Sequence, residues 1–249
     1  NIIDFGKLIV FQSLDRLLFV DLAAKKVEYI HSENTLLKSF KLEDQLYFQE
    51  QKKGLYYVEK GRPVLLSDHP TLQSQRIVQL FKRDQRFLVL TRESGFFWID
   101  SNQFTPWEIP AEELLQGTTL YTAIERQNGG FALGTIAKGL ILLDEEGALE
   151  NSIQQINGLS NNTILSLKED TEQNIWLGLD NGINVVNSTS PFKEYQDTFG
   201  ELGTVYTAAQ HQGRLYLGTN QGLFVKSDEK MQTFKLIQNT EGQVWNLTI

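Results

Sequence analysis

Short apolar runs separated by turns rich in Gly and Asn recur along the whole 249-residue chain. One unit is clearest. Thr163-Ile164-Leu165-Ser166-Leu167 is an apolar strand, and a polar turn at 170–174 leads to a second strand, Ile175-Trp176-Leu177-Gly178. Asn181-Gly182 then turns the chain into a third strand, Ile183-Asn184-Val185-Val186, and a ragged fourth is expected around Lys193-Glu194-Tyr195. Runs of this length, rich in β-branched and aromatic residues and bounded by such turns, predict strands. The Asn-Gly step supplies the positive φ that a tight hairpin needs. No three-turn stretch has helical apolar spacing, which excludes helical repeats of similar period.

The unit repeats. Trp176-Leu177-Gly178-Leu179-Asp180-Asn181-Gly182-Ile183 matches Tyr216-Leu217-Gly218-Thr219-Asn220-Gln221-Gly222-Leu223, and Ala132-Leu133-Gly134-Thr135 is a further copy with one extra residue before Gly139. The second glycine falls at 54, 95, 139, 182 and 222, in steps of 41, 44, 43 and 40 residues. Leu8-Ile9-Val10-Phe11 and Leu17-Leu18-Phe19-Val20 form a degenerate first copy, with Arg16 in the glycine slot. A period of about 40–45 residues is that of propeller blades. The fold expected is therefore all-β: a β-propeller of about six four-stranded blades, in one domain spanning 1–249. Repeats are expected to start near 35, 75, 117, 161, 203 and 243, so the first 34 residues lack an inner strand and Gln243-Val244-Trp245-Asn246-Leu247 looks like one without a blade. Either head and tail complete one blade between them, or the chain is an excerpt of a larger propeller with two cut edges.

Composition narrows the partners. Basic residues number 23 against 31 acidic, a net charge of −8 with no basic cluster, which argues against gripping nucleic acid or anionic lipid. With no cysteine, disulfides, redox pairs and thiolate zinc sites are excluded. No apolar run reaches the ~18 residues of a membrane-spanning helix, and the opening Asn1-Ile2-Ile3-Asp4 reads as a piece of a longer protein.

Candidate chemistry is sparse. His31, His69 and His211 lie in different repeats without metal spacing, so no metal and no cofactor is expected. Asp44, Asp84, Glu125 and Asp170 recur at the turn after the first strand, which points to turn formation and not to a catalytic acid pair. Trp176 and Tyr216 share a mid-strand slot, with Phe131 beside it in its own repeat. That recurrence predicts packing between sheets. Trp107, in Phe104-Thr105-Pro106-Trp107, has no counterpart in the other repeats and is a candidate ligand contact, with packing between sheets the plainer alternative.

Asn157-Gly158-Leu159-Ser160-Asn161-Asn162, Asp170, Asn174-Ile175-Trp176-Leu177-Gly178 and Asn181-Gly182-Ile183 together resemble the two-component regulator propeller repeat. The resemblance is full for one blade, good from Leu215 to Phe224, and partial elsewhere. It implies the extracytoplasmic, periplasmic sensor part of a Bacteroidetes transmembrane regulator. Such regulators carry a triple-tyrosine domain, a membrane helix, and a kinase or helix-turn-helix output beyond this segment. The function expected on that basis is non-catalytic sensing of an oligosaccharide or another nutrient, or contact with other domains of the same regulator or a second copy. The alternatives are a glycosidase or lyase whose residues converge from several blades, and a protein-interaction scaffold.

Ligand contact is expected at one end of the sheets, where the turns between second and third strands (91–95, 135–139, 180–182, 219–222) meet the connections between repeats (160–162, 201–204). The residues singled out are Asp180, Asn181, Asn220, Gln221, Asn161 and Trp107. Binding groups favour loops on a rigid scaffold, although any one of these residues can be there only to make its turn.

Overall fold

The computed structural model describes residues 1–100, 103–190, 197, 200–226 and 234–248. Six antiparallel sheets follow one another along the chain. The first is β1 (Ile2–Asp4), β2 (Ile9–Gln12), β3 (Arg16–Asp21) and β4 (Lys26–His31). The second is β5 (Leu36–Leu42), β6 (Gln45–Glu50), β7 (Gly54–Glu59) and β8 (Arg62–Ser67). After helix α1 (Pro70–Ser74) comes the third, β9 (Ile77–Arg83), β10 (Arg86–Thr91), β11 (Phe96–Asp100) and β12 (Gln103–Pro106). Helix α2 (Glu112–Leu115) precedes β13 (Leu120–Glu125), β14 (Phe131–Thr135), β15 (Leu140–Leu143) and β16 (Leu149–Ile153). The fifth holds β17 (Ile164–Glu169), β18 (Asn174–Leu179) and β19 (Ile183–Asn187). The sixth is β20 (Val205–His211), β21 (Arg214–Thr219), β22 (Leu223–Lys226) and β23 (Phe234–Leu236). The fourth strand expected around 193–195 lies outside the described residues. The chain forms two compact units, 1–125 and 126–249.

Repeat starts at 36, 77, 120, 164 and 205 agree with the sequence. The head and the tail do not. The head has its own inner strand, because Gly6 (φ 74°) turns the three-residue β1 back onto β2, with the Gly6 amide donating to Asp4 Oδ1 at 2.7 Å. The tail around 243–247 forms no strand. Its Val244 amide donates to Thr219 O (2.8 Å) and Trp245 stacks on Tyr206 at 4.1 Å, so it covers the sixth sheet without extending one.

In the first unit, the sheets are held by apolar layers. Val10 and Leu17 meet Leu36, Leu46 and Phe48 between the first and second sheets. Phe40, Tyr47 and Leu55 meet Ile77, Leu80, Val89 and Ile99 between the second and third. Second strands such as β6 and β10 are covered on both faces, which is why they read as continuous apolar runs without alternation.

A β-bulge falls on the second residue of the first strand in four repeats, at Leu37, Val78, Leu165 and Tyr206. Such a residue is left out of the ladder. Between the second and third sheets the freed carbonyls are taken by basic side chains. Lys38 Nζ donates to Val78 O (2.5 Å) and Arg76 Nη2 to Leu37 O (3.2 Å).

Candidate functional site

The turns between second and third strands share one construction. Thr91, Thr135 and Thr219, all fully buried, end the second strand. Each hydroxyl donates to the carbonyl of the turn glycine, Gly95, Gly139 or Gly222, at 2.9–3.1 Å, and accepts a turn amide. The expected positive φ is present at Gly54 (128°), Gly95 (75°), Gly139 (68°), Gly182 (94°) and Gly222 (151°). Behind the turn, the backbone amide of Gln51, Arg92, Asp180 or Asn220 donates to Thr35 O, Arg76 O, Thr163 O or Thr204 O. These bonds tie each turn to the strand and connection behind it.

Among the singled-out residues of the second unit, Asp180, Asn181 and Gln221 are exposed on these turns, and no described residue hydrogen-bonds their side chains. Asn220 and Asn161 are partly committed to local structure. Asn220 Oδ1 accepts from the Thr204 amide (2.7 Å) and Asn161 Oδ1 from the Thr163 amide (2.7 Å), which leaves only their amide nitrogens for other contacts.

Trp107 lies at the same end of its own sheet, in the first unit. Its amide extends the β11–β12 ladder by one bond, to Phe96 O (3.0 Å). The half-buried ring leans edge-on against Phe96, with centroids 5.4 Å apart, and is tilted on Trp98 at 5.7 Å. The chain then bends at Pro110. Buried Ile109, Ala111 and Leu115 pin α2, and Gly117 at φ 64° ends it. Between this segment and the 93–95 turn is a cavity of about 170 Å³, lined by Trp107 and Phe96 with Glu93, Ser94, Glu112 and Gln116. An aromatic wall with carboxylates and an amide around it suits the apolar face and hydroxyls of a sugar ring. It is smaller than the roughly 300 Å³ of a full small-molecule site, with room for one end of a ligand only. The sequence singled out Trp107 but not α2. Its acidic Glu112 on a short helix just past Pro110 was the available signal.

Two other side chains differ from expectation. Trp176 is 47% exposed instead of buried between sheets, while Phe131 is fully buried. Trp176 is held by its polar edge, where the indole N–H donates to Asp170 Oδ2 at 2.8 Å. Asp170 also accepts from the amides of Glu172 and Asn174 and from Asn174 Nδ2. The Trp176 hydrogen bond, with those from Asn174 and Glu172, holds its carboxyl below the ordinary aspartate range. Asp170 is thus the turn-maker the recurrence predicted. Glu125, at the corresponding place, is instead paired with Arg83 at 2.8 Å. His69 caps α1 and stacks on Phe104 at 4.2 Å. Among the described residues, no three His, Asp or Glu cluster to hold a metal, and no helix is long and apolar enough to cross a membrane.

Residues 158–181 match the profile described as "Two component regulator propeller". Among solved structures, the chain superposes on the extracellular domain of the putative hybrid two component system BT3049 from B. thetaiotaomicron. That match covers 94% of this chain and 33% of the other, with a TM-score of 0.65 and 20% identity. The extracellular domain of the putative hybrid two component system BT4673 from B. thetaiotaomicron is similar over 92% of this chain and 33% of that one, with a TM-score of 0.57 and 20% identity. PorZ, a surface component of the type-IX secretion system of Porphyromonas gingivalis, matches over 88% and 34%, with a TM-score of 0.54 and 13% identity. No curated protein matches in sequence. The chain spans about a third of the length of each of these structures. It therefore has the all-β propeller fold shared with regulator extracellular domains and carries, at residues 158–181, a two-component regulator propeller repeat.

Proposed function

We propose that this chain is a non-catalytic, ligand-sensing propeller segment in the periplasmic part of a bacterial transmembrane regulator. Ligand is met by the turns between second and third strands. The observation that carries this reading is Trp107, half-buried beside a cavity built from one of those turns and ringed by Glu93, Glu112 and Gln116. The similarity to extracellular domains of hybrid two-component systems supports the sensing role and the compartment. In the second unit, Asp180, Asn181, Asn220 and Gln221 offer carboxylate and amide groups of the kind that hold sugar hydroxyls, and Asn161, on the connection before β17, offers a further amide. Other domains of the same regulator, or a second copy of the chain, would receive the signal.

Calorimetry against a panel of neutral oligosaccharides tests this. Trp107→Ala is expected to weaken binding by about tenfold or more, and the pairs Asp180→Ala with Asn181→Ala and Asn220→Ala with Gln221→Ala by less. Thermal unfolding identifies variants that are merely unfolded. Unchanged affinity in all folded variants would contradict the proposal. A second reading has one observation in its favour, since Glu93 and Glu112 line the same cavity. Release of sugar by the pure protein, lost in Glu93→Gln and Glu112→Gln, would replace sensing with hydrolysis.

A further inference from the structure

Asn-Gly occurs three times in the chain, at 128–129, 157–158 and 181–182. The pair is chemically unstable in water. The backbone nitrogen of the glycine can attack the asparagine carboxamide carbon, because no Cβ on the glycine shields that nitrogen. The folded chain restrains two of these pairs and leaves the third open.

At 128–129 both reacting groups are held. Asn128 Oδ1 accepts from the Gly130 amide (3.1 Å), and the Gly129 amide donates to Arg126 O (2.9 Å). At 157–158 the carboxamide is fixed through both of its polar atoms. Asn157 Oδ1 accepts from the Gln154 amide, and its Nδ2 donates to Ser152 O (3.0 Å). Asn181 and Gly182, by contrast, are both exposed, and no described residue hydrogen-bonds the Asn181 side chain or the Gly182 amide. A Cβ on Gly182 would meet nothing within 4 Å, so the turn is uncrowded.

The equivalent turn of the sixth sheet shows why this amide is unbonded. There Thr219, Asn220, Gln221 and Gly222 follow the same spacing as Leu179, Asp180, Asn181 and Gly182. The Thr219 hydroxyl accepts from the amides of Gln221 (2.9 Å) and Gly222 (3.2 Å). Leucine at 179 has no side-chain acceptor to offer the Gly182 amide.

We propose that Asn181 is a site of spontaneous deamidation, selected by the fold from the three Asn-Gly pairs. The Gly182 nitrogen gives up its proton and bonds to Asn181 Cγ as the Cγ–Nδ2 bond breaks. Nδ2 departs as ammonia, carrying the proton that Gly182 lost, and a succinimide ring closes. Water then attacks either ring carbonyl, the bond from that carbon to the Gly182 nitrogen breaks, and the nitrogen regains a proton. The product is aspartate or isoaspartate at 181, and water is the only co-reactant. Either product places a second carboxylate beside Asp180, and isoaspartate also lengthens the backbone of the turn by a methylene. Asn181 lies on a turn assigned above to ligand, but the reaction does not depend on that assignment.

Peptide mass spectrometry of the 249-residue chain, aged in mildly alkaline buffer, measures conversion at each of these asparagines. Chromatography separates aspartate from isoaspartate. Hydrogen bonds that must break before reaction slow it, so Asn181 is expected to convert about tenfold or more faster than Asn128 or Asn157. In urea, where the fold no longer restrains them, all are expected to convert at similar rates. Leu179→Thr, checked by thermal unfolding, supplies the hydroxyl and is expected to slow Asn181 by about threefold or more, with Asn128 and Asn157 unchanged. The urea comparison uses the wild-type chain and so decides the matter even where the variant does not fold. The proposal is overturned if the asparagines convert alike in the folded chain, if the same ranking persists in urea, or if folded Leu179→Thr converts Asn181 at the wild-type rate.

Discussion

Replacing Gly139 with alanine is expected to destabilise the protein by about 2–5 kcal/mol, whereas Gly182→Ala is expected to cost only about 1–2 kcal/mol. Both glycines occupy the same place in their repeats and both have positive φ, 68° and 94°, so both substitutions incur the left-handed penalty. What separates them is space. A Cβ on Gly139 would sit 2.2 Å from Ile153 O, a backbone atom of β16 that cannot rotate away, while one on Gly182 meets nothing within 4 Å. The Thr135 hydroxyl holds the Gly139 carbonyl at 2.9 Å, so the turn cannot relax without giving up that buried bond. Chemical denaturation of the two variants in parallel measures the difference. Equal losses would mean that the approach of β15 to β16 is looser than described.

The second large effect is a pH dependence centred on Lys38. Burial, and secondly the Arg76 guanidinium, push its ammonium down to about 8 from an ordinary 10.5. Its Nζ also lies 5.5 Å from the Phe40 ring and donates to the bulge carbonyl of Val78. Since the folded value lies below the unfolded one, the folded chain loses this proton first as pH rises. Above pH ~8 the unfolded state binds more protons, so stability increases with pH until the unfolded lysine also titrates. Between pH 7 and 9.5 this amounts to about 2 kcal/mol. The interval stops there because burial raises Tyr47 and Tyr56, whose titration above pH ~10 acts in the opposite direction. Lys38→Met removes the titrating group, so the stability difference between wild type and variant should change by about that amount over the interval. A difference constant from pH 7 to 9.5 would show that Lys38 titrates normally.

The contrast between these two sites shows what the sequence could reveal. Glycine at 54, 95, 139, 182 and 222 was legible because its role is local and few other residues replace it at positive φ. Asp170 was legible for the same reason. Its bonds stay within the turn and its own hairpin, at 172, 174 and 176. The recurrent Thr at 91, 135 and 219 was equally visible, and its meaning becomes clear only from the hydroxyl bridge across each turn. Trp176 was misassigned because a repeated mid-strand aromatic looks the same whether a neighbouring sheet covers it or its indole N–H is held at an exposed turn. The inner strand at the head was missed because three residues ending in a Gly6 turn carry too little alternation to register. Lys38 and Arg126 were beyond reach. Lys38 matters through Val78 and Arg76, brought in by the packing of the next sheet, and Arg126 through Glu150, which lies two strands away in its own sheet and 24 residues on in sequence.

The central claim is that a sensed ligand meets the turns between second and third strands. Hydrogen–deuterium exchange of the chain with and without a bound neutral oligosaccharide tests it most directly. New protection is expected at 91–95 and 107–116 in the first unit and at 180–182 and 219–222 in the second. The turns between first and second strands, such as 43–45 and 170–174, should exchange as in the free protein. Protection confined to those latter turns, or to the exposed faces of the sheets, would contradict the account.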